Sequence, residues 1–400
     1  MANYNLSTLN PMKFTTLVPT REAVIAQAQA APLPQPEDFP VNALAQALHP
    51  YRQYLVVSAV RQLSGDCKCY ELRPDPSRGT DKLAYFSAGQ YVSVFLDVDG
   101  RRINRPYSIC SSPKESLEGK YELAVKLVPG GIASQYILDN WQVGTKVEVS
   151  GPVGEFDYQP LRDARTVIGI AGGSGITPFL SMAKAIVDGE EDFNLILLYG
   201  SRTEDGIIFR EEFGDLAARC DKIKVIHVLS DEEREGYEHG FITAELIRKY
   251  APEGQYSVFL CGPQAMYDFV EKELDKLNLE SKYIRRDLYG EFFNPKSQPD
   301  YPSDVPETVN ITVSVCDETR TVSGSTNDSV LRILENNGIE APARCRSGEC
   351  GWCHSYLASG KVYIPKQLDH RRLADEKYGY IHPCCSFPLS DLTIVVPPAK

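Results

Sequence analysis

Five of the chain's eleven cysteines fall between Cys345 and Cys385. Cys345, Cys350 and Cys353 are spaced C-x4-C-x2-C, and Cys384 follows 31 positions later with Cys385 beside it. The N-terminal stretch Met1–Thr20 lacks a basic segment followed by an apolar one, so it does not read as a secretory signal. Cysteines grouped this way point to metal or redox chemistry rather than to extracellular disulfides. Two irons need four thiolates, and a tight loop can wrap three of them around one side. Gly348 and Gly351 would let backbone amides approach the cluster sulfides, and such hydrogen bonds tune the potential. The competing reading is a structural zinc. Zinc sites usually come as two short C-x2-C knuckles, and only one occurs here. Cys67 and Cys69, a lone C-x-C on an expected strand, read as packing or surface thiols.

Two other constellations carry chemistry. Arg105-Pro106-Tyr107-Ser108 combines a guanidinium that can pair with a diphosphate, a ring that can pack on a flat heterocycle, and a hydroxyl that can reach its edge. Ala171-Gly172-Gly173-Ser174-Gly175-Ile176-Thr177-Pro178 follows a short apolar run and opens a helical pattern. Glycines there allow close backbone approach to a phosphate, and the helix N-terminus favours an anion.

In order, these segments resemble the ferredoxin–NADP reductase superfamily, with a plant-type [2Fe–2S] ferredoxin at the C-terminus. Arg105–Ser112 resembles the family's flavin motif, Gly131–Ser134 its G-x-x-S helix start, and Gly151-Pro-Val-Gly-Glu-Phe156 its G-P-x-G-x-F turn. Tyr199–Arg202 and Cys261–Met266 resemble the second strand and the C-G-P motif of the nicotinamide domain. Ala343–Cys353 and Pro383–Asp391 resemble the ferredoxin loop and its closing motif, in which the ligand stands four residues before a proline. That rule selects Cys384 over Cys385.

The resemblance implies Cys345, Cys350, Cys353 and Cys384 as cluster ligands. It implies a flavin site at Arg105, Pro106, Tyr107, Ser108, Lys126, Gly131, Ile132, Ala133 and Ser134, with FAD favoured over FMN because G-x-x-S serves a pyrophosphate. It implies a nicotinamide site at Gly172, Gly173, Gly175, Thr177, Pro178, Ser201, Arg202, Asp231, Cys261, Gly262, Pro263 and Met266. Ser108 and Cys261 would stand nearest the hydride path. Leu229-Ser-Asp-Glu-Glu-Arg-Glu235 is acidic where NADPH-using relatives are basic, and Asp231 would repel a 2′-phosphate. The expectation is therefore NADH, with Arg202 and Arg234 keeping NADPH open.

The elements that must position these residues fall into regimes. Residues 1–50 read as an arm of no known role, with a short helix over Glu22–Ala30 and four prolines in Ala31–Pro40 that break regular structure. Residues 51–160 read as an antiparallel β-barrel flavin domain, with strands at Tyr54–Val60, Gln90–Asp97, Tyr121–Val128 and Thr145–Ser150 and a helix over Ile132–Asn140. Residues 161–292 alternate strand and helix, as in a doubly wound α/β domain. Residues 293–306 read as a proline-rich linker. Residues 307–400 read as an α+β, β-grasp ferredoxin domain that opens with a hairpin, then a helix over Ser329–Asn336.

The net charge of −12 argues against a nucleic-acid partner, and no apolar run is long enough to span a membrane. The expected compartment is the cytoplasm. The expected function is an NADH oxidoreductase of the oxygenase-reductase or hybrid-cluster-protein-reductase type. It would pass hydride to FAD, then single electrons through [2Fe–2S] to a partner oxygenase, hybrid-cluster protein or other metalloenzyme. Two alternatives stand beside it: a self-contained NADH dehydrogenase for a small acceptor such as a quinone, flavin or nitro compound, and a non-catalytic sensor or scaffold. Arg344, Arg346, Arg371 and Arg372 are expected around the cluster's exposed side as a rim for an acidic acceptor. Phe292 and Phe293 are expected to pack in the core or linker, with shielding of the flavin face as the second reading.

Overall fold

β-branched and aromatic residues recur at alternate positions after Tyr51, and that pattern builds the first sheet. The computed structural model describes residues 11–31, 39–288 and 290–399, with side chains from Val18 onward. Strands β1 (Gln53–Ser64), β2 (Cys67–Pro74), β3 (Tyr91–Val98), β4 (Arg101–Ser108), β5 (Tyr121–Lys126) and β6 (Lys146–Val149) pair antiparallel in the order β4-β3-β6-β1-β2-β5. A bridge between Ile109 and Leu123 joins the two ends of this sheet, closing it into a barrel. Leu55, Val57, Leu72, Val92, Val94 and Ile103 fill the interior.

The second sheet is parallel: β7 (Thr166–Gly172), β8 (Asn194–Ser201), β9 (Ile223–Leu229), β10 (Glu238–His239), β11 (Ser257–Cys261) and β12 (Ile284–Asp287), in the order β10-β9-β8-β7-β11-β12. Successive side chains of a strand face opposite ways. Val167 and Ala171 of β7 accordingly join one core with Phe179 and Phe213, while Ile168 and Ile170 join another with Ile247 and Val270. Both faces are covered, which explains the apolar runs.

The third sheet contains β13 (Thr308–Val315), β14 (Glu318–Ser325), β15 (Ser355–Ser359), β17 (Tyr380–Ile381) and β19 (Leu392–Val396), ordered β14-β13-β19-β15-β17. β13 and β19 run parallel, and the other pairs are antiparallel. A separate pair is formed by β16 (Val362–Tyr363) and β18 (Phe387–Pro388).

Ten α-helices are described: α1 (Pro11–Ala30), α2 (Pro40–Leu48), α3 (Pro113–Leu117), α4 (Ile132–Asn140), α5 (Thr177–Asp188), α6 (Arg210–Arg219), α7 (Ala244–Tyr250), α8 (Gln264–Asp275), α9 (Val330–Asn336) and α10 (Leu373–Lys377). Helix α9 covers the third sheet through Ile333 and Leu334. Among the described residues no helix is long and apolar enough to cross a membrane.

The N-terminal expectation needs correction. Helix α1 starts at Pro11, earlier than Glu22, and runs through Pro19. Pro40, read as a breaker, is instead the first residue of α2. Proline is tolerated there because the first N–H groups of a helix have no intrahelical acceptor. The prolines at 32, 34 and 36 lie outside the described residues. Residues 1–47 belong to a unit separate from 48–400.

Candidate functional site

Strand β4 ends beside the bridge that closes the barrel, and its last four residues are Arg105, Pro106, Tyr107 and Ser108. They line a cavity of about 630 Å³ together with Lys126 and Gly131–Ser134. All nine expected flavin residues therefore meet at one place. Gly131 caps α4, and the Ser134 hydroxyl accepts from the Val128 N–H at 3.0 Å. That bond shapes the turn that aims the helix N-terminus into the cavity, where an anion is favoured. A cavity of this size, mostly apolar with a few convergent polar groups, suits a cofactor of flavin size.

The nicotinamide-type motifs close another side of the same cavity, through Ser174, Thr177, Gly262, Pro263 and Gln264. The Gly-rich turn and the Cys261–Pro263 turn are packed against each other. A Cβ built on Gly175 would lie 2.2 Å from the Cys261 carbonyl oxygen, so only glycine fits. Met266 Sδ sits against Gly172 and Gly262. Thr177 and Pro178 begin α5, and Gly173 has φ +53°. The Cys261 thiol is buried and donates to Asp287 Oδ2 at 3.7 Å. Burial pushes this thiol well up, helped by the Asp287 charge, so it stays protonated. Burial likewise pushes the Asp287 carboxyl up to about 7.

Ser201, Arg202, Ser230 and Asp231 stand side by side at the ends of β8 and β9. The Ser230 N–H donates to the Ser201 carbonyl and the Asp231 N–H to the Arg202 carbonyl, each at 3.0 Å. The Ser230 hydroxyl donates to Asp231 Oδ1 at 2.6 Å. The Ser201 hydroxyl oxygen is buried without a partner. Arg234 is held by Glu204, and by Glu232 at 3.2 Å.

In the cysteine loop, Cys345, Cys353 and Cys384 are buried and Cys350 is exposed. The Cys350 N–H donates to Cys345 Sγ at 3.4 Å, and Cys353 Sγ lies 3.4 Å from Cys384 Sγ. Four cysteines are the donor set that a [2Fe–2S] cluster takes. The Cys385 thiol, beside Cys384, donates to the His382 and Leu368 carbonyls at 3.5 and 3.6 Å. Gly348, at φ +88°, leaves no room for a Cβ, which would lie 2.3 Å from the Leu368 carbonyl oxygen. The Ser347 hydroxyl is buried without a partner and lines the cofactor cavity, as does Cys345. The cavity thus touches the flavin-type, nicotinamide-type and cysteine-loop residues at once.

The arginine rim is not formed as expected. Arg346 is buried at 1 % exposure, bound to Glu291, Glu335 and Asn104. Arg371 is paired with Asp369 at 2.8 Å and Arg372 with Asp375 at 2.9 Å. Arg344 is stacked 3.5 Å from the ring centroid of Trp352. The expected cationic rim is therefore largely neutralised or internal. Arg105 is also paired, lying 3.3 Å from Glu291 and 3.6 Å from Glu335. Burial alone would raise the Glu291 carboxyl, but Arg346 and Arg105 hold it down at about 2. Phe292 packs edge-to-face on Phe387, with centroids 5.9 Å apart, while Phe293 is exposed beside Arg332. Both line the cavity. Tyr91, Glu291, Arg332 and Glu335 also line it and carried no sequence signal, because no local motif contains them.

Comparison with known proteins follows the same order of parts. Residues 54–158 match an oxidoreductase FAD-binding domain, 170–272 an oxidoreductase NAD-binding domain, and 313–389 a 2Fe-2S iron-sulfur cluster binding domain. The chain is 30% identical over 334 residues to a glycine betaine monooxygenase reductase subunit of Pseudomonas aeruginosa, covering 78% of this chain and 87% of that protein. It is 31% identical over 325 residues to the ferredoxin reductase component of a 3-ketosteroid-9-alpha-monooxygenase of Mycobacterium tuberculosis, covering 79% and 86%. Its fold matches the structure of a phthalate dioxygenase reductase with a TM-score of 0.62 at 26% identity, over 86% of this chain and 98% of that one. The chain belongs to the ferredoxin–NADP reductase superfamily, among the oxidoreductases that join FAD-binding, NAD-binding and C-terminal [2Fe–2S] domains in that order.

Proposed function

We propose that this protein is the reductase of an oxygenase system, taking hydride from NADH onto FAD and delivering single electrons through [2Fe–2S] to the oxygenase. The observation that carries this reading is the shared cavity, which brings the flavin motif, the nicotinamide motifs and Cys345 to one wall. When bound, FAD accepts the hydride pair and the cluster passes electrons one at a time.

The chain's own residues position and enclose. Tyr107 packs against the barrel core and offers its ring to the flavin, and Ser108 stands at the strand end beside it. Arg105 and the start of α4 receive the diphosphate. Gly175 and Cys261–Pro263 seat the nicotinamide. Cys345, Cys350, Cys353 and Cys384 would hold the cluster. Cysteines grouped for a cluster rather than for disulfides fit a cytoplasmic setting.

NADH is the proposed donor because the ribose end is acidic. Asp231 faces solvent beside Ser230, and Arg234 is already engaged by Glu204 and Glu232. A like-charge contact at this exposed position costs about 1 kcal/mol, roughly fivefold. The expected outcome is a higher kcat/KM with NADH than with NADPH, and a preference that narrows about fivefold in Asp231→Ser. A wild-type preference for NADPH would remove this part of the account. The acceptor is tested by pairing the reductase with candidate oxygenases. Turnover that persists with a small acceptor but with no oxygenase would favour the self-contained dehydrogenase.

A further inference from the structure

The face of the barrel that carries the flavin motif also docks the cysteine loop. On strand β4, Asn104 precedes Arg105 and is 5 % exposed. Its amide donates to the Ala343 carbonyl, and its oxygen accepts from Arg346 Nη1 at 3.2 Å. On neighbouring β3, the Ser93 hydroxyl donates to the Arg344 carbonyl at 3.4 Å. Two consecutive β4 residues thus divide their work: Arg105 lines the cofactor cavity and Asn104 grips the loop.

Arg346 is the centre of that grip. It makes a bidentate pair with Glu335 of α9, with Nη1 to Oε1 at 2.7 Å and Nη2 to Oε2 at 2.8 Å. Its Nε donates to Glu291 Oε1 at 2.9 Å, on the segment that leaves the nicotinamide domain. Its backbone has φ +61°, a conformation rare outside glycine and held only where surroundings enforce it. A bidentate guanidinium pair fixes orientation as well as position. The Glu335 pair lies within the ferredoxin unit, whereas Glu291 and Asn104 lie outside it. Folding of the ferredoxin unit alone does not require those two bonds.

We propose that Arg346 and Asn104 are positioning residues that clamp the cysteine loop to the flavin-bearing strand and thereby set the rate of electron transfer from flavin to cluster. The inference rests on the proposed function and adds to it the device that fixes the donor–acceptor gap. Electron tunnelling falls steeply with distance, so a loosened clamp slows this step and leaves hydride transfer to the flavin as it was.

The test uses the full-length holoprotein with Asn104→Ala, which cuts only the contact across the interface, and Arg346→Lys, which keeps the charge but loses the fork. Stopped-flow absorption separates flavin reduction by NADH from cluster reduction. Hydrogen exchange reads the amides of residues 343–347. The cluster's EPR signature and midpoint potential report its own integrity. The expected result for Asn104→Ala is slower cluster reduction by NADH-reduced flavin. Exchange at residues 343–347 should rise, while flavin reduction, EPR signature and potential stay unchanged. Arg346→Lys should behave the same way with a deficit at least as large. Parent-like cluster reduction in Asn104→Ala overturns the inference. So does slowing that coincides with an altered EPR signature or potential, because the residue then acts on the cluster itself. A parent protein whose cluster NADH does not reduce overturns the proposed function, and this inference with it.

Discussion

Replacing Cys384 by serine is expected to remove electron delivery to the acceptor protein while leaving NADH oxidation by ferricyanide intact. Cys384 is buried, with its sulfur 3.4 Å from that of Cys353. Loss of a hydrogen-bonding neighbour of a metal ligand costs 10–100-fold in affinity or activity, so loss of the ligand itself should cost more than about 100-fold. The broad visible absorption and EPR signal of the cluster should vanish with acceptor reduction. Flavin bands and the ferricyanide reaction should persist, because neither the cavity motif nor the nicotinamide turns contain Cys384. Cys385→Ser is the matched control. Its thiol donates to the His382 and Leu368 carbonyls, and a serine hydroxyl can do the same. It should retain cluster and turnover. A reversed pattern, with Cys385→Ser losing the cluster, would reassign the fourth ligand.

Gly175→Ala is expected to have the largest effect on the nicotinamide step. The added methyl would lie 2.2 Å from the Cys261 carbonyl oxygen and 2.8 Å from the Gly262 Cα. Both atoms belong to the backbone, so neither can swing aside as a side chain would. The two turns must separate, and a misplacement of about 1 Å costs on the order of 100-fold in rate. NADH-driven flavin reduction should fall by about that factor, whereas dithionite should still reduce the cluster to a normal EPR signal. Normal NADH kinetics in this variant would mean that the turns tolerate separation and do not seat the nicotinamide.

Local chemistry was legible in the sequence. Cys345, Cys350 and Cys353 sit in one loop, and Arg105–Ser108 in one strand, so their likeness to short family motifs picks them out. Parallel strands such as β7 were legible because burial on both faces makes them apolar throughout. Strand β2, expected around Cys67 and Cys69, pairs with β1 and β5. Arg346, by contrast, was misread. An arginine beside a ligand suggests a surface, but its partners stand 11, 55 and 242 positions away and no local pattern reveals them. The cavity wall at Tyr91 and Glu335 was hidden likewise, since three domains meet there.

Anaerobic rapid mixing of the holoprotein with one equivalent of NADH, followed by absorption and freeze-quench EPR and then by addition of an oxidised oxygenase, tests the central claim most directly. Flavin bleaching should come first, the cluster signal should grow as the flavin gives up one electron, and the oxygenase should be reduced as the cluster signal decays. A cluster that stays oxidised while the oxygenase is reduced would contradict it.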